Sequence, residues 1–173
     1  HHYRQLHWAH EHFIEPLRDI ESVRFCDVGI GTGFYSKELL CHLDNAVGWG
    51  FDVSEAAIAH TKQILTKWQV HDRYQLCQME VENQGDRQFN AFVSVELLEH
   101  LEDPQGFLCQ LRGVVEDGAL GFVTAAIDAP NRDHIYLYRS CEAVAEQLQK
   151  AGFEVVHAEN FAAYETASPQ ETV

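Results

Sequence analysis

The chain predicts an α/β protein built on a doubly wound, mostly parallel sheet of six or seven strands, with helices on both faces. Three observations predict it. Short apolar runs alternate with segments of helical spacing along residues 22–161. The first run exits into "GIGTG" (29–33), and open parallel sheets bind ligands at the carboxyl ends of their strands. The chain has 173 residues, 46% of them hydrophobic, which suits one domain with a sizeable core and argues against disorder.

The elements follow in order. "YRQLHWAHEHFIEPL" (3–17) reads as an N-terminal lid or packing helix within residues 1–20, closed by Pro16. "SVRFCDV" (22–28) is a buried strand. "SKELLCHL" (36–43) has helical spacing, with Leu39, Leu40 and Leu43 on one face. "AVGWGFDV" (46–53) is the second strand, and Ser54 is a suitable N-cap for the helix "EAAIAHTKQILTKW". "RYQLCQM" (73–79) is the third strand, "NQGDRQ" (83–88) a turn and "FNAFVSV" (89–95) the fourth strand.

Asp103-Pro104 opens a helix to about Arg112, with proline at a first-turn position. "EDG" (116–118) reads as a turn and "ALGFVTAAI" (119–127) as the fifth strand, followed by a polar loop at 128–138. Ser140 caps "CEAVAEQLQKAG", which Gly152 ends, and "FEVVHAENF" (153–161) reads as a last strand. No repeat or linker interrupts the chain, so residues 1–173 are expected to form a single domain.

Net charge is −15 with histidine neutral. Nucleic-acid binding draws on Lys and Arg that neutralise phosphates, so a small molecule is the expected partner rather than nucleic acid. No apolar run reaches the ~20 residues a membrane span needs, and no signal-peptide pattern stands at the start. The five cysteines are Cys26, Cys41, Cys77, Cys109 and Cys141, with no CxxC pair. Reduced thiols and a cytoplasmic location are therefore expected. His1 and His2 are not counted as ligands, and nothing in the sequence sets an oligomeric state.

"CDVGIGTGFYS" (26–36) carries the first chemical signal. Gly29, Gly31 and Gly33 let the backbone turn tightly and approach a ligand closely. The dinucleotide fingerprint G-x-G-x-x-G would need glycine where Phe34 stands, and its third glycine arrives one residue early. Asp27 precedes the loop by two positions, and a carboxylate there suits a cationic ligand better than a pyrophosphate. Asp52 ends the second strand, 23 residues after Gly29, near the spacing of a ribose-binding acid. Any adenosine cofactor has those hydroxyls, so Asp52 alone does not name the cofactor.

"DVGIGTG", "GFDVSEAAI", "FVSVELLEHLEDPQGFLCQL" and "GALGFVTAA", in this order, resemble a class I S-adenosylmethionine-dependent methyltransferase. The resemblance covers about residues 22–160 and implies the Rossmann-like sheet of that class, S-adenosyl-L-methionine as methyl donor and a methyltransferase activity. It places Asp27 near the methionine ammonium and wraps Gly29, Gly31 and Gly33 around the methionine and ribose. It gives Asp52 the ribose hydroxyls, packs Val53 on the adenine, and gives the adenine amino group to Glu80, with Glu82 the alternative. The class has a seventh strand after the sixth. This sequence ends in "ETASPQETV", so the last strand is expected to be missing or truncated.

"VELLEHLEDP" is the second signal. Glu96, Glu99 and His100 stand at i, i+3 and i+4, which puts them on one face if the fourth strand runs into a helical turn. His134, on the loop after the fifth strand, can meet them, because adjacent strands lie about 5 Å apart. The four make a mixed oxygen and nitrogen set suited to one divalent metal: Mg²⁺, Mn²⁺, Fe²⁺ or Zn²⁺. The E-x-x-E-H run with a later histidine is similar to the metal site of small-RNA 2′-O-methyltransferases, and the run recurs in ubiquinone-pathway O-methyltransferases. The alternative packs His100 against the sheet and leaves Glu99 a solvated helix residue.

The expected chemistry is methyl transfer to a small acceptor, with oxygen favoured, or to the carbon of an enolisable 2-oxo acid. A metal would chelate two substrate oxygens, with Glu96, His100 and His134 the candidate catalytic residues; without one, His134 or His100 would be the general base. Tyr35, Trp49, Tyr136 and Tyr138 are candidate lining residues, and Arg132 and Arg139 candidate carboxylate anchors. His157 reads as structural, while His7 and His10 share a face from which a lid could reach substrate. The rivals are a nicotinamide oxidoreductase, an RNA methyltransferase and a non-catalytic S-adenosylmethionine sensor or partner subunit.

Overall fold

The computed structural model describes residues 2–81, 86 and 88–161. The helical start runs from α1 (His2–Ala9) through a π-helical turn (His10–Ile14) into α2 (Glu15–Leu17). Pro16 lies in the first turn of α2 and has no N–H to give His12, so the ladder widens and Glu15 N–H donates to the His10 carbonyl instead. The helical segment ends at Leu17, one residue past Pro16 and at the end of the predicted stretch. Its buried face carries Ala9, Phe13, Ile14 and Leu17.

Five parallel strands follow: β1 (Val23–Val28), β2 (Ala46–Phe51), β3 (Tyr74–Cys77), β4 (Phe89–Val95) and β5 (Val115–Thr124). Their order is β3-β2-β1-β4-β5. Asp27 pairs with Gly50 of β2 on one side and with Val93 of β4 on the other. The chain turns in opposite directions from this central pair, which opens a crevice at the carboxyl ends of β1 and β4.

The connecting helices are α3 (Phe34–His42), α4 (Glu55–Lys67), α5 (Pro104–Val114) and α6 (Cys141–Lys150). Their N-caps act as expected: Ser54 Oγ accepts from Ala57 N, Asp103 Oδ1 from Gly106 N, and Ser140 Oγ from Ala143 N. Gly152, at φ +92°, ends α6 while Phe153 N–H bonds back to the Leu148 carbonyl. No helix among the described residues is long and apolar enough to cross a membrane.

The strands alternate their side chains between two cores. Phe25, Ala91, Val93 and Phe122 pack with the N-terminal helices, α3 and Leu65 of α4. Cys26, Phe51, Phe89 and Phe92 pack with Leu111 and Val114 of α5. A smaller cluster joins Leu98, Leu108, Tyr138 and Ala151 beside α6.

Two expectations are corrected. Residues 116–118 are not a turn: β5 begins at Val115, and the register jumps from Phe89↔Val115 to Ala91↔Leu120. The extra residues are taken up as a bulge that Gly118 relieves at φ +80°. Residues 153–161 are not a strand, so the described sheet has five strands rather than six or seven. Residues 153–157 and β5 line a common groove of about 400 Å³, and no ladder joins them. The predicted turn at 83–88 falls mostly outside the described residues, as do Glu82 and the end of the chain.

Candidate functional site

The exit of β1 is a turn of consecutive special conformations. Gly29, Gly31 and Gly33 have φ of +72°, +50° and +69°, a region that side-chain-bearing residues rarely adopt. A Cβ on Gly29 would lie 2.9 Å from Leu97 Cδ1, and one on Gly33 would fall on the Thr61 side chain. A Cβ on Gly31 meets nothing closer than 4.0 Å, so this peptide faces open space. Gly29 N–H donates to the Phe51 carbonyl and Gly33 N–H to the Ile30 carbonyl, which fixes the loop between β1 and β2.

Asp27 is only 4% exposed beneath this loop. Its Oδ2 accepts from Ser36 Oγ at 2.5 Å, and Ser36 Oγ lies 2.6 Å from the Tyr74 hydroxyl. With the Ser36 proton committed to the carboxylate, Tyr74 donates to Ser36 and the three groups form a relay. Burial pushes the Asp27 carboxyl up to about 6, the Ser36 bonds pull it down, and the Asp52 charge adds to the rise. Tyr74 reaches Ser36 by lying across β2, where Gly48 and Gly50 leave room. A Cβ on Gly48 would stand 2.6 Å from Tyr74 Cδ2, and one on Gly50 2.8 Å from Tyr74 Cε1.

Asp52 closes β2. Its Oδ1 accepts from Ser54 N at 2.8 Å and its Oδ2 from Gly31 N at 3.2 Å, so the carboxylate spans from its own turn to the glycine loop. Val53 beside it is 67% exposed, an apolar side chain presented to solvent. Glu80, beyond β3, is exposed.

The second cluster lies at the exits of β4 and β5. Glu96 has φ +51°, strained for a glutamate. It is held by Thr124: Glu96 N–H donates to Thr124 Oγ1 at 3.1 Å, and Thr124 Oγ1 donates to Glu96 Oε1 at 2.8 Å. A short 3₁₀ turn, Leu98–His100, follows. The expected single helical face is thus replaced by a kink at Glu96 and one tight turn. The donor atoms of Glu99, His100 and His134 nevertheless come within 4.8 Å of one another, with Glu96 alongside rather than in the trio.

Glu99 is 1% exposed. Its Oε1 accepts from Ala126 N at 3.1 Å, while its buried Oε2 has no donor. Burial raises the Glu99 carboxyl above the usual range, and the Glu96 charge raises it further. His100 Nδ1 lies 2.8 Å from the Asp133 carbonyl and His134 Nδ1 2.5 Å from the Ala129 carbonyl. A carbonyl only accepts, so each Nδ1 carries the proton and each Nε2 presents a lone pair. The rings are 5.0 Å apart at 81°. The Glu99 carbonyl accepts from Ile135 N and Tyr136 N, which pins the 131–138 loop to the turn and brings His134 in.

Other expected residues sort themselves by contact. Tyr35 packs against Phe122 in a tilted pair at 5.2 Å, and its hydroxyl is held protonated chiefly by burial and then by Glu96. Trp49 packs on Phe89 and donates to Gln75, a core role. Tyr136 and Tyr138 do share a side, 4.9 Å apart, and both hydroxyls meet Gln147. Arg139 pairs with Asp128 at the surface. His157 is exposed, in a tilted ring contact with His12 at 4.5 Å, and so lies outside a core strand. His10 bonds Glu38 on α3 rather than reaching the crevice as part of a lid.

Sequence reasoning did not find Ser36, Tyr74 or Thr124. Ser36 had a signal, lying one turn into the helix after the glycine loop, on the side that faces Asp27. Tyr74 had one only in the two glycines of "GWGF", which clear its path.

A parallel sheet in this order, a glycine loop at its switch point and an acid at the end of each of the first two strands define a class I S-adenosylmethionine-dependent methyltransferase. Residues 26–120 match the family described as a methyltransferase domain, and the chain belongs to that family. It is similar to the ubiquinone biosynthesis O-methyltransferase of Coxiella burnetii, 28% identical over 138 residues. That match covers 80% of this chain and 58% of the relative, so the chain spans under three-fifths of that relative's length. Two solved structures share the fold. A chain in the complex of the Haloferax volcanii Trm112 methyltransferase activator with a methyltransferase has a TM-score of 0.71 and 15% identity. It is matched over 96% of this chain and 79% of that one. The [4+2]-cyclase SpnF has a TM-score of 0.69 and 21% identity, over 83% of this chain and 56% of that one.

Proposed function

We propose that this domain transfers the methyl group of S-adenosylmethionine to an oxygen of a small-molecule acceptor, assisted by a divalent cation held by Glu99, His100 and His134. One observation carries the reading. A buried carboxylate oxygen without a donor, Glu99 Oε2, stands beside two imidazoles whose Nδ1 atoms are tied to carbonyls and whose Nε2 atoms are left to bind. Carbonyl-tethered histidines with a buried acid are the usual surroundings of a bound metal. The residues therefore fit the group. When bound, such a cation supplies a Lewis acid that lowers the pKa of an acceptor hydroxyl.

The remaining work belongs to the protein's own groups. Asp27, anionic above about pH 6 and without a cationic partner among the described residues, receives the methionine ammonium. The backbone from Gly29 to Gly33 lies along the methionine and ribose. Asp52 accepts the ribose hydroxyls, Val53 supports one adenine face, and Glu80 accepts from the adenine amino group. Leu97 links the two halves, because its side chain packs over Gly29 while its neighbour Glu96 leads into the second cluster. Methyl transfer is an in-line displacement, so the alignment of donor and acceptor loops is the main contribution. Glu96, held by Thr124, stands beside Glu99 and adds a second carboxyl to the cluster. Without a cation, the Nε2 of His134 or His100 would be free to accept the acceptor's proton. The name of the Coxiella relative supports oxygen over carbon as the acceptor atom.

Titration calorimetry with S-adenosylhomocysteine and NAD tests the donor, and turnover of catechol and 2-oxo acid acceptors, with chelator and with Mg²⁺, Mn²⁺, Fe²⁺ or Zn²⁺ restored, tests the rest. Binding of S-adenosylhomocysteine and cation-dependent O-methylation are expected. NAD binding alone overturns the assignment. Cofactor binding without turnover on any acceptor, unchanged by metal, supports the sensor instead.

A further inference from the structure

Outside the crevice, a second set of ligating side chains converges on the opposite end of α3. His10 Nε2 lies 3.3 Å from Glu38 Oε2, and His42 Nε2 lies 3.4 Å from the same oxygen. The three donor atoms all fall within 4.8 Å of one another. We propose that His10, Glu38 and His42 form a zinc-type metal site that clips the N-terminal helical segment to α3.

The distances fit. A tetrahedral ion with bonds of about 2.0–2.1 Å holds its ligand atoms about 3.3–3.4 Å apart, and two imidazoles with one carboxylate are an established zinc set that leaves a fourth position for water. The imidazole rings stand edge to face at 90°, centroids 4.5 Å apart, and both Nε2 atoms contact the same Glu38 oxygen.

The fold builds the set. Glu38 and His42 are one helical turn apart on α3. His10 is the first residue of the π-helical turn, an irregularity that recurs at functional sites and that re-aims the side chain. Glu38 is 8% exposed, so its charge is not dispersed into water. Its other oxygen is held by Lys37, whose ammonium sits 4.9 Å from the Phe34 ring centre and 4.8 Å from that of Trp68. That grip orients the carboxylate as an outer-shell partner does, and leaves Oε2 for the imidazoles. Entry is open: His42 lines a surface cavity of about 450 Å³ together with Asp19, Glu21 and Asp44, whose carboxylates favour cations over anions, although Arg18 also lies there.

The site is independent of the crevice, and its test is arranged so. The protein carries His1→Ala and His2→Ala, which removes the terminal imidazoles, and Glu99→Gln with His134→Ala, which disables the first cluster. After exposure to Zn²⁺ and desalting, about one equivalent is expected to remain, with Co²⁺ giving the intense visible bands of a four-coordinate ion. Zn²⁺ should also raise Tm by several degrees. Adding His42→Ala, at an exposed position that leaves folding intact, should weaken binding more than tenfold and remove both the Co²⁺ bands and the Tm shift. Glu38→Gln should do the same while keeping side-chain volume. Uptake and Tm shift unchanged by His42→Ala and Glu38→Gln overturn the site, as does the absence of retained Zn²⁺ in the background protein.

Discussion

Ser36 Oγ lies 2.5 Å from Asp27 Oδ2, and this bond is the main force holding a buried carboxyl from rising beyond about 6. The pair makes the first site sensitive to pH. An acid raised by burial binds its proton more tightly folded than unfolded, so folded stability falls as pH rises from 3.8 to about 6, by about 3 kcal/mol in all. In the role proposed for Asp27, a bound methionine ammonium would reverse this balance by favouring the anion. Affinity for S-adenosylhomocysteine is therefore expected to fall as pH drops below about 6, and calorimetry from about pH 5 to 8 reads it. Ser36→Ala should move the midpoint upward; Asp27→Asn should lower affinity and flatten the profile. A flat profile in the unaltered protein contradicts the role given to Asp27.

Glu99→Gln separates catalysis from cofactor binding. Glutamine keeps the Ala126 bond but removes the charge from a buried, donorless oxygen. Metal-dependent turnover should drop by about 100-fold or more, with S-adenosylhomocysteine affinity within about threefold and metal-free Tm equal or higher. Steady-state kinetics, calorimetry and a melt check the three. Full turnover in the variant refutes metal assistance through Glu99.

Gly50→Ala tests the relay from a distance. Its new Cβ would stand 2.8 Å from Tyr74 Cε1, so the ring must lift and its hydroxyl must leave Ser36. A loss of about 1–3 kcal/mol on denaturant unfolding is expected, with a raised pH midpoint for cofactor binding. Tyr74→Phe, which keeps the ring and removes the hydroxyl, should move the midpoint with a smaller stability loss.

Gly33→Ala combines left-handed strain at φ +69° with a clash on Thr61, and is expected to cost about 1–3 kcal/mol. Ser54→Ala, which removes only the cap accepting from Ala57 N, should cost about 1 kcal/mol. Chemical denaturation should rank the two in that order. Equal losses would mean that the loop backbone is relaxed.

Much of this was legible along the chain because it is local. The strand at Phe89–Val95 has the bounds its apolar run implies, and the caps Ser54, Asp103 and Ser140 each meet the N–H three residues on. The glycine loop and its flanking acids are also local, set by turn chemistry within a few residues. The bulge after Val115 was not legible, because "EDG" reads the same in a turn as in a bulge until a partner strand fixes the register. Residues 153–161 have a strand's composition, yet they form no ladder with the edge of β5, with which residues 153–157 line a groove.

By itself, the sequence determined the α/β alternation, the positive-φ glycines and the residue types in both clusters. Short-range sterics, hydrogen-bonding chemistry and apolar periodicity act between near neighbours. Tertiary structure alone decided that Tyr74 crosses β2 to reach Ser36, that Thr124 holds Glu96 out of a helical face, and that two carbonyls turn His100 and His134 toward Glu99. Those outcomes rest on directional bonds between residues distant along the chain, and such bonds exist only once the sheet has set its register.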